Sequence, residues 1–319
     1  MMEKNHPFHS GFVTIIGKPN VGKSTLLNAL VGQKVAITSR KPGTTRDKIL
    51  GIRNFPNAQI VFMDTPGFRK AKLLLDRKMT VFIKESLVST DLIFTLVDAF
   101  GLDDEDRRVF SFLPPASARI LDSGEISPSE KRMADKKISV FLLINKVDCV
   151  DKRRLLPLID AINRFYPFEE IIPISALKGD NIDSLLRKTV EALPEGPRYY
   201  PEGTVSDRDQ AFAVKELIRE KILAMTHEEV PYCTAVHVEE MVEREDGMLM
   251  IQATVYVERE SQKAILIGKK GRMMKLIGER ARRELEKLFG KKIFLGLWVK
   301  VLKDWRQSGE ALRRLGYME

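Results

Sequence analysis

Eight residues near the start of the chain, Gly17-Lys18-Pro19-Asn20-Val21-Gly22-Lys23-Ser24, spell the pattern GxxxxGK[ST] between an apolar run at 12–16 and a helical stretch at 25–31. A strand, a glycine-bearing loop and a helix in that order leave few folds open. The loop belongs at the C-terminal end of a parallel strand, with the helix N-terminus aimed at whatever the loop holds. The residue types fit a polyphosphate. Glycines let backbone N–H groups close around the β-phosphate, Lys23 brings a point charge to the β and γ oxygens, and Ser24 places a hydroxyl on a metal ion. Thr25, first in the helix, completes this part of an expected nucleoside triphosphate site.

The rest of the chain supplies a matching frame. Apolar runs at 12–16, 59–63, 92–97, 140–144 and 171–174 alternate with helical stretches to about residue 193. That alternation predicts an α/β domain, a mostly parallel sheet with helices on both faces. Prolines and glycines then cluster from Pro194 to Gly203, which predicts a linker at 195–206 between a domain at 1–194 and a second at 207–319. The second domain changes pattern: a helix at 208–225, strands at 235–243 and 248–258, and a helix at 262–267. A Gly-Lys-Lys-Gly turn, a helix at 273–288 and a strand at 292–301 follow, making a smaller α+β module. The segment 114–137, rich in Pro, Ser and charge, breaks the helix-to-strand spacing and reads as an exposed insertion. With 319 residues, two cores can be filled.

Composition excludes several classes. At 44% hydrophobic and 30% charged residues, with no apolar run of about 18, the chain reads as a globular protein without a spanning helix. The polar first ten residues lack a signal-like apolar stretch, and Cys149 and Cys233 lie far apart, so a reducing cytosol is expected, with neither a disulfide nor a zinc site. The net charge of +9 is unevenly placed: residues 262–314 hold 16 Lys and Arg against 5 Asp and Glu, whereas acidic residues prevail over 201–261. Charge alone leaves a solvated face and a polyanion partner equally open.

Three further motifs narrow the nucleotide. Asp64-Thr65-Pro66-Gly67 follows a strand directly, so Asp64 can hold a metal through water and the Gly67 N–H can meet the γ-phosphate. Asn145-Lys146-Val147-Asp148 follows another strand. The Asp148 carboxylate there accepts from N1–H and the exocyclic amine of guanine, a donor pair adenine does not present. Ser175-Ala176-Leu177, past a third strand, offers backbone N–H groups to the guanine oxygen.

This ordered set resembles the translation-factor-related GTPases, and within them the Era family, over nearly the whole chain. The resemblance implies a slow, switch-like GTPase using Mg2+. It adds Thr45, in Gly43-Thr44-Thr45-Arg46-Asp47, to Ser24 and Asp64 as metal-site residues and makes its loop the first switch. Many GTPases carry a water-orienting glutamine after Gly67, where this chain has Phe68, so hydrolysis leans on electrostatics from elsewhere. Asn20 matches the position at which related GTPases are thought to bind K+, which gives an expected catalytic set of Lys23, Thr45 and Asn20.

In the second module, Ile265-Leu266-Ile267-Gly268-Lys269-Lys270-Gly271 joins two helices with strands on the outer sides, the order of a type II KH domain. A GxxG turn admits a nucleic-acid backbone closely, and Lys269, Lys270, Arg272 and Lys275 neutralise phosphates, with Arg280 and Arg283 continuing the charge. Ile267 opens the apolar groove beside the turn. RNA is therefore the expected partner. The family resemblance makes it the 3′ end of small-subunit ribosomal RNA and the chain a monomeric assembly factor for the small ribosomal subunit. The expected location is the cytoplasm, with peripheral contact at the inner membrane surface as a further expectation. Two rivals stay open: an RNA-binding protein with a purely structural nucleotide, and a GTPase whose basic block meets anionic lipid. Trp298, Met248, Met250, Met273 and Met274 are expected in the core, and Trp305 is available to stack or to pack.

Overall fold

The computed structural model describes residues 7–68, 73–114 and 138–318. The insertion expected at 114–137 lies, but for Pro114, outside the described residues. Contacts gather the chain into two compact units. The first takes the described residues of 1–36, 45–70 and 79–207, the second those of 37–44, 71–78 and 208–319.

The first unit is built on strands β1 (His9–Gly17), β2 (Ile49–Phe55), β3 (Ala58–Asp64), β4 (Leu92–Asp98), β5 (Ser139–Asn145) and β6 (Glu170–Pro173), in the order β2-β3-β1-β4-β5-β6. Every neighbouring pair is parallel except the β2–β3 hairpin. Strands β3, β4 and β5 are buried almost throughout, which is why they read as continuous apolar runs. Around the sheet lie α1 (Lys23–Val31), most of α2 (Leu74–Val88), α3 (Asp104–Phe110), α4 (Leu155–Asn163) and α5 (Ile182–Ala192). One core cluster joins Ile16, Val97, Leu142 and Ile144 of the sheet to Ile83, Val109 and Ile162 of the helices. The register matters for the site, since it pairs Ile15 with Asp64 and Asp98 with Asn145 and so collects the motifs at one end of the sheet.

Strand β2 escapes sequence reading for a physical reason. Its apolar pattern is interrupted by Gly51, where an added Cβ would stand 2.6 Å from Leu27 Cδ1, and it ends in polar Arg53 and Asn54. The stretch expected to be a linker at 195–206 is hydrogen-bonded along this edge. Tyr199 N and Tyr200 N donate to Gln59 Oε1, Ile52 N donates to Val205 O, and Ser206 Oγ donates to Leu50 O.

The second unit holds α6 (Gln210–Met225), α7 (Val230–Cys233), β7 (Ala235–Glu243), β8 (Leu249–Val257), α8 (Glu260–Ile267), α9 (Arg272–Phe289), β9 (Ile293–Val301) and α10 (Gly309–Arg314). The sheet runs β7-β8-β9, antiparallel then parallel. Its core packs Ile218 and Ile222 of α6, Leu266 of α8 and Ile277, Ala281 and Leu285 of α9 against Ile251, Val255 and Ile293. Neither α7, four residues containing Pro231, nor α10, six residues, is long enough to show a helical period in sequence. No helix among the described residues is long and apolar enough to cross a membrane.

Candidate nucleotide site and nucleic-acid groove

The loop from Gly17 to Gly22 is held open by two left-handed turns, Asn20 at φ 63 and Gly22 at φ 106. Gly22 has no room for a side chain: its Cβ would lie 2.3 Å from Asn145 Nδ2. Val21 is fully buried and anchors the loop, its carbonyl accepting from Asn145 Nδ2 at 2.8 Å. Lys23 folds over the loop, with Nζ donating to Gly17 O at 3.0 Å and Lys18 O at 2.9 Å. Burial lowers its pKa to about 8, with Asp64 pulling the other way. Thr25 sits half-buried in the first turn of α1, where backbone N–H groups point into the loop.

Ser24, Thr45 and Asp64 converge. Ser24 Oγ donates to Asp64 Oδ2 at 2.6 Å and lies 2.9 Å from Thr45 Oγ1, which donates to the same carboxylate oxygen at 3.3 Å. Asp64 is fully buried, and its Oδ1 has no hydrogen-bond partner among the described residues. A buried carboxylate oxygen beside two hydroxyls is a hard-oxygen set that suits Mg2+. Burial raises the Asp64 pKa to about 6, against the lowering effects of Lys23, Ser24 and Thr45. Since the folded value lies above the ordinary 3.8, the strain of the ionised form is absent below about pH 4 and fully present above about pH 6. Asp64→Asn should therefore abolish Mg2+-dependent hydrolysis and flatten the loss of stability of the nucleotide-free chain as pH rises from about 4 to 6. Denaturant melts over that pH range beside turnover assays read both, and undiminished hydrolysis contradicts the assignment.

Thr65, Pro66, Gly67 and Phe68 continue from Asp64. Thr65 Oγ1 donates to Ile15 O at 2.8 Å, and Pro66 is buried. Gly67 sits against the phosphate loop, where an added Cβ would come within 2.9 Å of the Pro19 Cα. Phe68 N donates to Gly17 O, while its ring lies 4.2 Å from the Phe112 ring and joins the core cluster. Its side chain is committed to packing and takes no part in orienting water.

At the base end, Lys146 Nζ donates to Asn20 O at 2.8 Å, and Ala176 N donates to Asn145 Oδ1 at 3.0 Å. Ser175 Oγ donates to Asp148 Oδ1 at 2.7 Å, and this bond is the main reason the Asp148 pKa falls below its usual value. Leu177 is 77% exposed. The structure thus ties the phosphate loop, Asn145-Lys146-Val147-Asp148 and Ser175-Ala176 into one hydrogen-bonded assembly.

One part of this site carries no motif. The Lys18 side chain turns away from the loop, with Nζ at 2.8 Å from Asp103 Oδ2, 2.7 Å from Asp106 Oδ2 and 3.8 Å from Asp98 Oδ2. Burial opposes its charge, but the bonds to Asp103 and Asp106 prevail and raise its pKa. Lys18 offers a nucleotide only its backbone. The available signal is the Asp103-x-x-Asp106 capping box that starts α3.

In the second unit, Gly268 at φ 69, Lys270 at φ 53 and Gly271 at φ 75 make the sharp turn between α8 and α9, with Lys269 and Lys270 exposed at its tip. Beside it runs an open groove of about 580 Å³, floored by Ile267, Met274, Leu295 and Leu297 and bordered by Lys275, Arg282, Glu279 and Trp298. Arg272 is exposed at the start of α9. The Trp298 expectation needs correction: it is 48% exposed because it falls on the face of β9 turned away from α8 and α9. Trp305, expected to stack or to pack, is fully buried, donating Nε1–H to Cys233 O and stacking on Tyr317. Met273 and Met274 pack against the core but remain partly exposed, whereas Met248 and Met250, expected in the core, are half-buried outside it.

Comparison with known proteins joins the two sites. Residues 12–146 match the family described as 50S ribosome-binding GTPase, and residues 229–306 match the KH domain. The GTPase Era of Geobacter metallireducens is 47% identical over 315 residues, 98% of this chain and 99% of that protein. The chain belongs to the GTPase Era family. A second relative, the GTPase Era of Geotalea daltonii, is 46% identical over 97% of this chain and 98% of its own length. Among solved structures, an Aquifex aeolicus Era variant bound to GDP and AlF4− matches with a TM-score of 0.88 and 41% identity, covering 98% of this chain and 100% of that one. An Era complex with MgGDPNP and nucleotides 1506–1542 of 16S ribosomal RNA matches with the same TM-score, identity and coverage. As a member of this family the chain is a GTPase with a KH RNA-binding domain.

Proposed function

We propose that this GTPase is a Mg2+-dependent switch that binds the 3′ end region of small-subunit ribosomal RNA through its Gly268–Gly271 turn and groove, and assists assembly of the small ribosomal subunit. The observation that carries the reading is the coexistence in one chain of the Ser24–Thr45–Asp64 oxygen cluster and a lysine-tipped turn beside an apolar groove. The first suits a metal bridging to phosphates; the second suits a phosphodiester backbone with splayed bases. The related Era complex that holds MgGDPNP and 16S ribosomal RNA supports both halves. In the cycle, Lys23 and the α1 N-terminus hold the phosphates, Asp148 reads guanine, and Gly67 reports the γ-phosphate to the segment that follows. For the full chain, affinity for an RNA of nucleotides 1506–1542 should differ at least about fivefold between GDP and a non-hydrolysable GTP analogue. Equal affinities in the two states would leave a scaffold with a structural nucleotide instead.

Phe68 leaves the attacking water without a side-chain orienter, and Asn20 stands exposed at the outer turn of the phosphate loop. These two facts support K+ at Asn20 as the source of the missing positive charge in the transition state. Turnover in KCl should exceed that in NaCl at matched ionic strength by about tenfold or more, and equal rates rule the ion out.

A further inference from the structure

Strand β9 is the edge of its sheet and alternates cleanly. Leu295, Leu297, Val299 and Val301 face the helices and the core, while Phe294, Gly296, Trp298 and Lys300 face the opposite side, where Arg314 of α10 lies over Tyr256, the register partner of Lys300. On that side Phe294 is 51% and Trp298 48% exposed, two large aromatic surfaces left in water on one strand. The tryptophan ring is laid down over Gly296: a Cβ there would come within 2.9 Å of the ring's Cη2 and 3.1 Å of Cζ3. Beneath it Thr254, its register partner on β8, is 2% exposed. The ring therefore has one face on the sheet and the other open, and its edge borders the groove beside the Gly268–Gly271 turn.

Charge decides what fits. The far strand β7 carries exposed Glu239 and Glu240, which repel a phosphodiester backbone, beside a Glu243 paired with Lys291, whereas Lys275 and Arg282 border the groove with Glu279 and Lys300 is exposed on β9. A polyanion leaving the groove is thus held along β9 and brought over the aromatic rings. We propose that Trp298 is a stacking platform for a base of single-stranded RNA that continues beyond the groove, with Phe294, about 13 Å farther along the strand, extending it. The proposal rests on the RNA reading of the groove and adds to it a contact made by π-stacking, tolerant of base identity, outside the apolar groove itself.

The chain has two tryptophans, and the other, Trp305, is fully buried, so the emission lost in Trp298→Ala, on the red side of the spectrum, reports the platform. Full-length protein is titrated with the RNA of nucleotides 1506–1542 and with a four-nucleotide fragment of it. The long RNA should quench the exposed tryptophan's emission. Trp298→Ala should weaken the long RNA about tenfold and leave the short one unchanged, while Trp298→Phe keeps binding within about threefold. Gly296→Ala, which displaces the ring without removing it, should weaken the long RNA as well. Unchanged affinity in Trp298→Ala, or unquenched emission with RNA bound, overturns the platform alone. Absence of RNA binding by the unaltered chain overturns the groove reading too. A shift from dimer to monomer in sedimentation of Trp298→Ala would mark the face as a contact between copies and also overturn the proposal.

Discussion

Replacing Asp148 by Asn should exchange the substrate: affinity for GTP falls by about 100-fold or more, and affinity for xanthosine triphosphate rises by a similar factor. The carboxylate stands just past the end of β5, with one oxygen accepting from the Ser175 hydroxyl and the other from the Cys149 thiol at 3.5 Å. Guanine meets it with two donors, N1–H and the exocyclic amine. An amide keeps one acceptor but sets an N–H against a donor, so a hydrogen bond to a charge is lost and two donors confront each other. Xanthine presents a carbonyl in place of the amine and restores the match. Displacement of a fluorescent guanine nucleotide by each triphosphate reads the exchange. Undiminished preference for GTP would sink the assignment of Asp148 as the base reader.

Reversing the turn charges, Lys269→Asp with Lys270→Asp, should lower RNA affinity about 100-fold at 0.15 M salt and reduce the salt dependence by roughly 1.4 in log–log slope, the share of two phosphate contacts on a single strand. Both side chains are exposed, and Lys270 sits at φ 53, a left-handed conformation that Asp tolerates, so the fold is kept. GTP turnover stays level, because neither lysine belongs to the nucleotide site. Filter binding over a salt series beside a phosphate-release assay separates the two activities. If the variant holds RNA as well as before, the turn is a solvated corner. Undiminished binding to anionic vesicles together with lost RNA binding would assign lipid affinity to other basic residues.

The nucleotide site was legible because each of its parts is local in sequence: a loop of eight residues and two tetrapeptides, each at a strand end. What a sequence does not display is pairing between distant segments. Lys18 reads as a loop residue, yet its partners are Asp98, Asp103 and Asp106, more than seventy residues away. The convergence of Ser24, Thr45 and Asp64 is likewise a product of sheet register. In the second unit the helices and strands were readable from period and punctuation, but Trp298 was placed on the wrong side and Trp305 was left open between stacking and packing. An apolar strand at a sheet edge looks the same in sequence whether its second face is covered or bare, so Trp298 read as core. Trp305 lies in a tail with no period, and only its tertiary partners, Cys233 and Tyr317, show that it is buried.

The strap of residues 195–206 bears on how the molecule can be dissected. Strand β2 is an outer strand of the six-stranded sheet, and its backbone N–H at Ile52 is capped by Val205 while Ser206 covers Leu50. A nucleotide-binding fragment cut at 194 would bare that strand and strip Gln59 of Tyr199 and Tyr200, leaving an open template for another copy's strand. Ending the fragment after Asp207 keeps the cover in place, so a piece thirteen residues past the apparent boundary is the one suited to remain in solution.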